Sequence, residues 1–156
     1  MTRDDIGIVG LAELSATAVR ARLLDGHDRF WDTDTRPLHH PVWFHQFGGF
    51  GALARTAEGE DVGYVLGGVT ADRLAYLHLL AVREDHRRSG LARRLCGWFD
   101  DLAADTGARG VQAVTRPDNA PALALHRALG ASEHLSADHA GPGADRVVLT
   151  RFLPRS

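Results

Sequence analysis

Residues 73–95 of the chain read RLAYLHLLAVREDHRRSGLARRL, and this stretch decides the fold. Residues 73–82 form a mostly apolar run, which predicts a strand. A polar segment that contains Gly90 follows, and apolar side chains then recur at helical spacing, at Leu91, Leu95, Trp98 and Leu102. The stretch therefore predicts a strand, a glycine-containing turn and a long helix in succession.

The turn before this helix, residues 87–92, has the features of an anion-binding site. The first N–H groups of a helix lack partners within the helix and lie at the positive end of its dipole. Gly90 and Ala92 would let a phosphate approach the backbone closely. The charges along the helix also run against its dipole, with Arg87, Arg88, Arg93 and Arg94 near its start and Asp100, Asp101 and Asp105 in its later half. A bound anion explains this order, and ordinary solvated arginines are the alternative.

Strands and helices alternate outward from this stretch. Residues 52–56 and 61–70 predict two strands that form an antiparallel meander with residues 73–82. A helix near residues 15–24 and a short one at 40–47 precede them. Downstream, residues 111–115 predict a strand, 119–129 a helix with Ala122, Leu125 and Leu129 on its core face, and 131–135 and 146–152 two closing strands. With no repeat and no linker, one α+β domain over residues 1–156 is expected.

Composition excludes several functional classes. The chain has 18 Lys+Arg and 20 Asp+Glu residues, a net charge of -2, so no nucleic-acid partner is expected. Residues 1–5 lack the apolar run of a signal peptide, and no stretch approaches the roughly 20 apolar residues of a membrane span, so we expect a cytoplasmic protein with no membrane partner. Cys96 is the only cysteine. The histidines lack the spacing of a metal site, including His39, His40 and His45, so no metal is expected.

Two motifs resemble those of the GNAT superfamily of acetyltransferases. Its cofactor loop, [Gln/Arg]-x-x-Gly-x-[Gly/Ala], opens the helix after the fourth strand, and Arg87, Gly90 and Ala92 match it. A second segment, residues 119–130, is similar to the family's Asn-x-x-Ala-x-x-Leu-Tyr-x-x-x-Gly, except that His126 stands at the tyrosine's place. The resemblance extends from residue 61 to the C-terminus, and two spaced motifs are far more specific than one.

The resemblance implies the GNAT fold, a mixed, mostly antiparallel sheet of about seven strands that splays between strands four and five and is flanked by about four helices. It also implies that acetyl-CoA donates an acetyl group to a primary amine by direct attack in a ternary complex. The pantetheine arm would pair with the fourth strand, and backbone N–H groups of the loop would bind the pyrophosphate. The cofactor-binding residues so implied are Leu80, Ala81, Val82, Arg87, Arg88, Ser89, Gly90, Leu91, Ala92 and Asn119, the last of which is equally suited to cap its helix.

Three residues are candidates for proton transfer. An alkylammonium acceptor with a pKa near 10.4 must lose a proton before it attacks, and His78 has a suitable pKa of about 6.5 for a base. Before any bulge, His78 points to the same face as Leu80 and Val82. Tyr76-Leu77-His78 resembles the His-x-His of arylalkylamine N-acetyltransferases, with Tyr76 as the alternative base. His126 would protonate the departing thiolate. A hydrogen-bonded structural histidine is the alternative at His78.

The acceptor is not identified by the sequence. We expect a small-molecule amine, and a protein or peptide N-acetyltransferase and a non-catalytic acyl-CoA-binding regulatory module are the alternatives. Aromatic residues in the first half either pack in the core, which their helical spacing favours, or line an acceptor pocket: Trp43, Phe44, Phe47 and Phe50. A homodimer is a further possibility.

Overall fold

The computed structural model describes residues 5–154. Its strands are β1 (Gly7–Gly10), β2 (Ala52–Arg55), β3 (Asp61–Val69), β4 (Leu74–Val82), β5 (Gly110–Thr115), β6 (Ser132–Ser136) and β7 (Arg146–Phe152). Its helices are α1 (Ala16–Asp25), α2 (Val42–His45), α3 (Leu91–Asp105) and α4 (Ala120–Ala128). Residues 1–4, which the signal-peptide prediction concerns, lie outside the described residues.

The strands form one seven-stranded sheet in the order β1-β2-β3-β4-β5-β7-β6. Neighbouring strands are antiparallel except β4 and β5, which are parallel. The predicted meander of β2, β3 and β4 is confirmed, as is the predicted α+β architecture with a mixed, mostly antiparallel sheet of seven strands. Within residues 5–154, no helix has the length and apolar character needed to cross a membrane.

Helices cover both faces of the sheet. On one face, buried side chains of α3, among them Leu95 and Phe99, pack against Leu77 of β4, and α4 adds to the same core. On the other face, Phe44 of α2 packs with Tyr64 of β3 and with buried residues of α1. The sheet therefore has an α3/α4 face and an α1/α2 face, and both matter for the site.

The sheet opens between β4 and β5. Their parallel pairing begins at Leu74 and Gly110 and ends at Leu77 and Ala113. Beyond that point β4 stays paired with β3 through Val82, whereas β5 stays paired only with β7. The splay predicted between the fourth and fifth strands is therefore present, and among residues 5–154 it leaves one edge of β4 without a neighbouring strand.

A β-bulge lies where the splay begins. Leu79 is opposite Leu66 of β3, and Leu77 is opposite the next residue of β3, Gly67, so His78 is an extra residue in β4. A bulge of this kind bends the strand and increases its twist. The bulge and the splay therefore coincide at one position of β4.

The bulge changes the direction of His78. Leu77 packs on the α3/α4 face, and so do Leu80 and Val82, whereas the His78 ring stacks on Trp43 of α2 on the opposite face. The expectation that His78 points to the same face as Leu80 and Val82 applied to a strand without a bulge, and the bulge removes that condition. The extra residue reverses the alternation of side chains between His78 and Leu80.

We predict that Gly67→Ala destabilises the fold by about 1–3 kcal/mol through overpacking. A Cβ atom at Gly67 would lie 2.3 Å from the Tyr76 carbonyl oxygen and 2.7 Å from the Phe99 ring. Urea unfolding measures the loss. The control is Gly97→Ala in α3, where an added Cβ would meet no atom within 4 Å apart from its chain neighbours and the backbone of its own helix, and where alanine gains about 0.5–1 kcal/mol through helix propensity. Equal urea midpoints for the two variants would contradict the close approach of Tyr76 and Phe99 to Gly67.

Candidate functional site

The segment that leads into α3 has backbone N–H groups without partners. Within residues 5–154, no acceptor lies in hydrogen-bond geometry with the N–H groups from Arg87 to Arg93. Arg88 and Gly90 both have positive φ angles, 61° and 82°. Consecutive N–H groups in such a conformation, at the start of a 15-residue helix, form a concave site for an anion. Such a site can hold a diphosphate, and the pyrophosphate at this loop stays a prediction.

The arginine side chains of this segment differ in whether they are bound to other parts of the protein. The Arg87 guanidinium donates hydrogen bonds to the carbonyls of Val82 (3.1 Å) and Phe30 (2.9 Å). It therefore links the end of β4 to the loop between α1 and α2. In the part of the chain that the structure describes, Arg88 and Arg93 form no ion pair and are exposed. They are therefore the guanidinium groups that remain available to an anion at the start of α3.

The free edge of β4 presents backbone polar groups to the cleft. The Arg83 N–H donates to the Val62 carbonyl of β3 at 2.9 Å. Polar groups alternate sides along an antiparallel strand, so those of Ala81 also face β3, whereas Leu80 and Val82 turn theirs towards the cleft. A chain that enters the cleft can bind this edge as an added strand. Of the three β4 residues predicted to bind the cofactor, Leu80 and Val82 have this orientation. The Val82 carbonyl already accepts from Arg87, so Val82 offers its N–H to the cleft.

Asn119 lies at the start of α4 and caps it. Its side-chain oxygen accepts from the Ala122 N–H at 3.3 Å, and its amide group donates to the Thr115 hydroxyl at 3.0 Å. Both ends of the amide therefore have partners inside the protein. The capping role that we named as the alternative to cofactor binding is present, and it fixes α4 to the end of β5.

Tyr76 and His78 lie together beside the splay. The His78 Nε2–H donates to the Leu38 carbonyl at 2.7 Å, and the Tyr76 hydroxyl lies 3.4 Å from His78 Nδ1. These partners assign the proton to Nε2, so Nδ1 carries the lone pair and accepts from Tyr76. Burial lowers the pKa of His78, an effect that the Leu38 carbonyl partly opposes, and burial raises the pKa of Tyr76. Near neutral pH, both groups are uncharged.

Half-buried aromatic rings flank this pair. Trp43 stacks on His78 with 4.0 Å between ring centroids, and Phe47 and Tyr76 lie 5.4 and 6.0 Å from Trp43. We call Trp43, Phe47 and Tyr76 the aromatic wall. Phe44 is instead buried in the core below α2, and Phe50 packs towards the α3/α4 face. The four aromatic residues singled out from the sequence thus divide between core and site.

A buried polar network anchors the loop that carries Leu38. His39 is fully buried, donates from Nδ1 to the Thr35 carbonyl (2.8 Å), and accepts from the Tyr64 hydroxyl at Nε2 (2.7 Å). Trp31 Nε1–H donates to the same hydroxyl at 2.7 Å, and Arg20 donates to the His39 carbonyl at 2.8 Å. Burial lowers the pKa of His39, so its ring is neutral and the network is satisfied.

A second buried histidine, His27, extends this network. It accepts from the Thr35 N–H at 3.1 Å and donates to Asp28 at 2.9 Å. Sequence reasoning considered His39 only as a metal ligand and did not consider His27. The available signal for a buried partner was Tyr64, a hydroxyl in a buried strand that needs hydrogen bonds. Within residues 5–154, no group of three or more His, Cys, Asp or Glu side chains is placed to hold a metal ion.

His126 lies apart from Tyr76 and His78. It is buried in α4 near a bidentate ion pair in which Arg151 donates to Asp100 at 2.8 and 2.9 Å. Burial and the Arg151 charge lower the pKa of His126, and Asp100 partly opposes them. Within the described residues, no hydrogen bond or ring contact joins His126 to Tyr76 or His78. The structure therefore brings together two of the three predicted catalytic residues.

We predict that Gly90→Val lowers the affinity for CoA at least about tenfold, equivalent to about 1.4 kcal/mol, because a branched side chain enters the anion site. Titration calorimetry measures the affinity. Gly59→Val is the matched control, since Gly59 has a similar φ of 87° in the turn between β2 and β3 and no atom within 4 Å. Valine at either position reduces the free energy of unfolding by about 1–2 kcal/mol, because a residue with a Cβ atom is strained at a positive φ angle. Equal CoA affinities in the two folded variants would remove this loop from the binding site.

Comparisons with solved structures identify the fold. The chain is 16% identical to a protein of the NatC complex bound to Gag peptide and CoA, covering 96% of this chain and 99% of that one with a TM-score of 0.77. It is 21% identical to the ribosomal-protein-S18-alanine N-acetyltransferase from Escherichia coli, covering 97% and 96% with a TM-score of 0.69. It is 23% identical to nourseothricin acetyltransferase with a TM-score of 0.61, covering 67% of this chain but only 65% of that one.

Sequence comparison identifies the family. No curated protein sequence matches the chain. The family model described as "Acetyltransferase (GNAT) family" matches residues 17–131, which include the cofactor loop, β4 and α4. The match spans well over half of the chain and agrees with the fold and with the free N–H groups at the start of α3. The chain therefore belongs to the acetyltransferase (GNAT) family.

Proposed function

We propose that the chain is an acetyl-CoA-dependent N-acetyltransferase that acts on a small-molecule primary amine by direct attack in a ternary complex. The observation that carries the proposal is the uncharged pair of Tyr76 and His78 beside the splay of β4 and β5. A neutral base at this place can take a proton from an amine. The single domain over residues 1–156, the cytoplasmic location and a possible homodimer remain predictions.

The cofactor site consists mainly of backbone groups. The N–H groups of Arg88, Ser89, Gly90, Leu91 and Ala92 bind the pyrophosphate, and the cleft edge of β4 at Leu80 and Val82 pairs with the pantetheine arm. Acetyl-CoA supplies the thioester acetyl group. Asn119 holds the start of α4 in place, and the exposed side chain of Arg88 adds positive charge at the loop.

Tyr76 and His78 remove the proton from the acceptor as a unit. An ammonium with a pKa near 10.4 is charged at neutral pH and has no lone pair for attack. His78 Nε2 is engaged by the Leu38 carbonyl, and the lone pair on Nδ1 is covered by the Tyr76 hydroxyl. The proton of the acceptor therefore passes to the Tyr76 oxygen while the hydroxyl proton passes to His78 Nδ1. Tyr76 is restored, and His78 holds the positive charge.

His126 contributes little as an acid in this proposal. Its pKa is lowered, so near neutral pH the ring is uncharged and holds no readily donated proton. A CoA thiolate, with a pKa near 8.5, is a good enough leaving group to depart into water. His126 then serves mainly to pack α4 against its neighbours.

The proposal is tested by release of free CoA from acetyl-CoA with a panel of small amines and a panel of peptides. We predict amine-dependent release at saturating amine that falls as the pH drops below 6.5, because His78 has a lowered pKa and is active only when neutral. His78→Gln and Tyr76→Phe each reduce turnover by about 10²-fold. The double variant is no slower than either single one, because the two residues act as a unit.

Three outcomes contradict parts of this proposal. Release with peptides alone would assign a protein or peptide acceptor. Saturable binding of acetyl-CoA without release would assign a non-catalytic regulatory module. A double variant whose loss is the product of the single losses would show that Tyr76 and His78 act independently.

We predict that His126→Phe retains turnover within about threefold of the wild type from pH 7 to 9, since a neutral imidazole supplies no acid catalysis worth 10²-fold. The ring replacement keeps most of the buried volume, so α4 stays packed. Steady-state rates across this range measure the effect. A large loss at pH 7 that shrinks towards pH 9, as expected if a protonated ring donates to the thiolate, would restore His126 as the general acid.

A further inference from the structure

The loop between α1 and α2 supplies the shorter of the two hydrogen bonds that orient the proposed base. The Leu38 carbonyl accepts from His78 Nε2–H at 2.7 Å, whereas the Tyr76 hydroxyl lies 3.4 Å from Nδ1. Trp43 of the aromatic wall stacks on the ring but forms no hydrogen bond with it within residues 5–154. The direction of the imidazole nitrogens therefore depends on where the loop places the Leu38 carbonyl.

His39, the residue after Leu38, joins this loop to the sheet and to α1. Its buried ring donates from Nδ1 to the Thr35 carbonyl at 2.8 Å and accepts at Nε2 from the Tyr64 hydroxyl of β3 at 2.7 Å. Its own carbonyl accepts from Arg20 of α1 at 2.8 Å. Three hydrogen bonds thus fix His39 directly beside the carbonyl that binds the proposed base.

The remaining hydrogen bonds of Leu38 are local to its own turn. Its N–H donates to the Thr35 carbonyl at 2.9 Å, and the His39 N–H donates to the Arg36 carbonyl at 3.0 Å. The Leu38 side chain is exposed and contributes little packing. At the start of the turn, the Thr35 N–H donates to buried His27 at 3.1 Å. Buried histidines therefore hold the turn at both ends, and His39 holds the end that carries the Leu38 carbonyl.

The same network keeps the His39 ring uncharged. The Tyr64 hydroxyl donates its proton to His39 Nε2 and accepts from Trp31 Nε1–H at 2.7 Å. A second proton on His39 would occupy Nε2, and the Tyr64 hydroxyl proton would then have no acceptor in the protein interior. Burial lowers the pKa of His39, and a positive charge on His78 lowers it further. His39 therefore holds the loop without placing a second positive charge beside the base.

We propose that His39 is a positioning residue, which supports turnover by holding the Leu38 carbonyl against His78. The inference rests on the proposed function and adds a residue whose buried ring does not contact a bound acceptor. In the proposed step, the proton that Tyr76 relays binds His78 Nδ1, the ring becomes an imidazolium, and that proton later leaves to water.

The Leu38 carbonyl stabilises this charged form of His78. It then accepts from an N–H of a cation, and such a hydrogen bond is roughly twice as strong as one between neutral groups. A fixed acceptor on the far side of a catalytic imidazole also keeps the ring in the tautomer that can take up the proton. A carbonyl that moves with an unanchored loop loses both effects, so the loss of His39 slows proton removal.

The test is a double-mutant cycle between His39→Phe and His78→Gln, measured as kcat for CoA release at saturating acetyl-CoA and saturating amine. Phenylalanine keeps a buried ring but binds neither Thr35 nor Tyr64. We expect His39→Phe to lower kcat at least about tenfold when His78 is present, because the base is misplaced. In the His78→Gln chain we expect a further loss of no more than about twofold, because no base remains to be positioned.

Two further variants change the network by smaller steps. Tyr64→Phe removes only the hydroxyl that binds His39, and we expect kcat to fall about three- to tenfold, again only when His78 is present. This variant carries the cycle if His39→Phe does not fold. His39→Asn retains an N–H donor that can bind the Thr35 carbonyl, so it restores part of the kcat lost in His39→Phe. His134→Phe, the same ring replacement at an exposed histidine of β6, leaves kcat unchanged.

The affinity for CoA separates positioning from general damage to the fold. We expect calorimetric affinities of the folded His39→Phe and Tyr64→Phe chains within about twofold of the wild type, because the loss is confined to the chemical step. Equal fold losses of kcat with and without His78, an unchanged kcat in the folded variants, or a parallel loss of CoA affinity each overturn the inference and leave N-acetylation in place. A wild-type kcat in His78→Gln overturns both the base and its positioning. No release from the wild type with any amine overturns the proposed function itself.

Discussion

The loss of pairing between β4 and β5 beyond Leu77 is the constraint on which the rest of the site depends. A parallel pair that stayed closed would use the polar groups of Leu80 and Val82 in the sheet. Because β5 pairs only with β7 beyond Ala113, those polar groups of β4 face a cleft that leads to the start of α3. The bulge at His78 lies at the same position and turns that side chain to the other face. One irregularity therefore separates the side that we propose for the cofactor from the side that we propose for the acceptor.

The acceptor side depends on a loop that has little regular structure of its own. The loop is held by the buried contacts of His39 with Thr35 and Tyr64, each a satisfied hydrogen bond in the protein interior. These contacts place the carbonyl of Leu38, the residue before His39, against His78. An unpaired buried histidine would cost about 1–3 kcal/mol, and the hydrogen bonds of His39 avoid that cost while they hold the loop in place.

The sequence predicted most of the architecture because its signals are local. The strand, turn and helix at residues 73–95, and the cap at Asn119, each follow from neighbouring residues. The direction of His78 could not be predicted, because it follows from the register between β3 and β4, which shifts between Leu66 and Gly67. The predicted helix faces were correct in part. Leu91 and Leu95 are buried and Trp98, Leu125 and Leu129 pack against the core, but the faces also include Phe99 in α3 and His126 in α4, which the sequence analysis did not place there. Those orientations are set by the sheet against which each helix packs.

The proposed cofactor site consists of backbone N–H groups that have no hydrogen-bond partner within residues 5–154. Amide hydrogen exchange observes such groups directly. With acetyl-CoA added, the amides of Arg88 to Ala92 should slow strongly, together with those of Leu80 and Val82 on the free edge of β4. The amides of Ala81 and Arg83, which face β3, should change little. Unchanged exchange at Arg88 to Ala92 under saturating acetyl-CoA, or protection confined to other segments, would contradict the claim that this loop and this edge bind the cofactor.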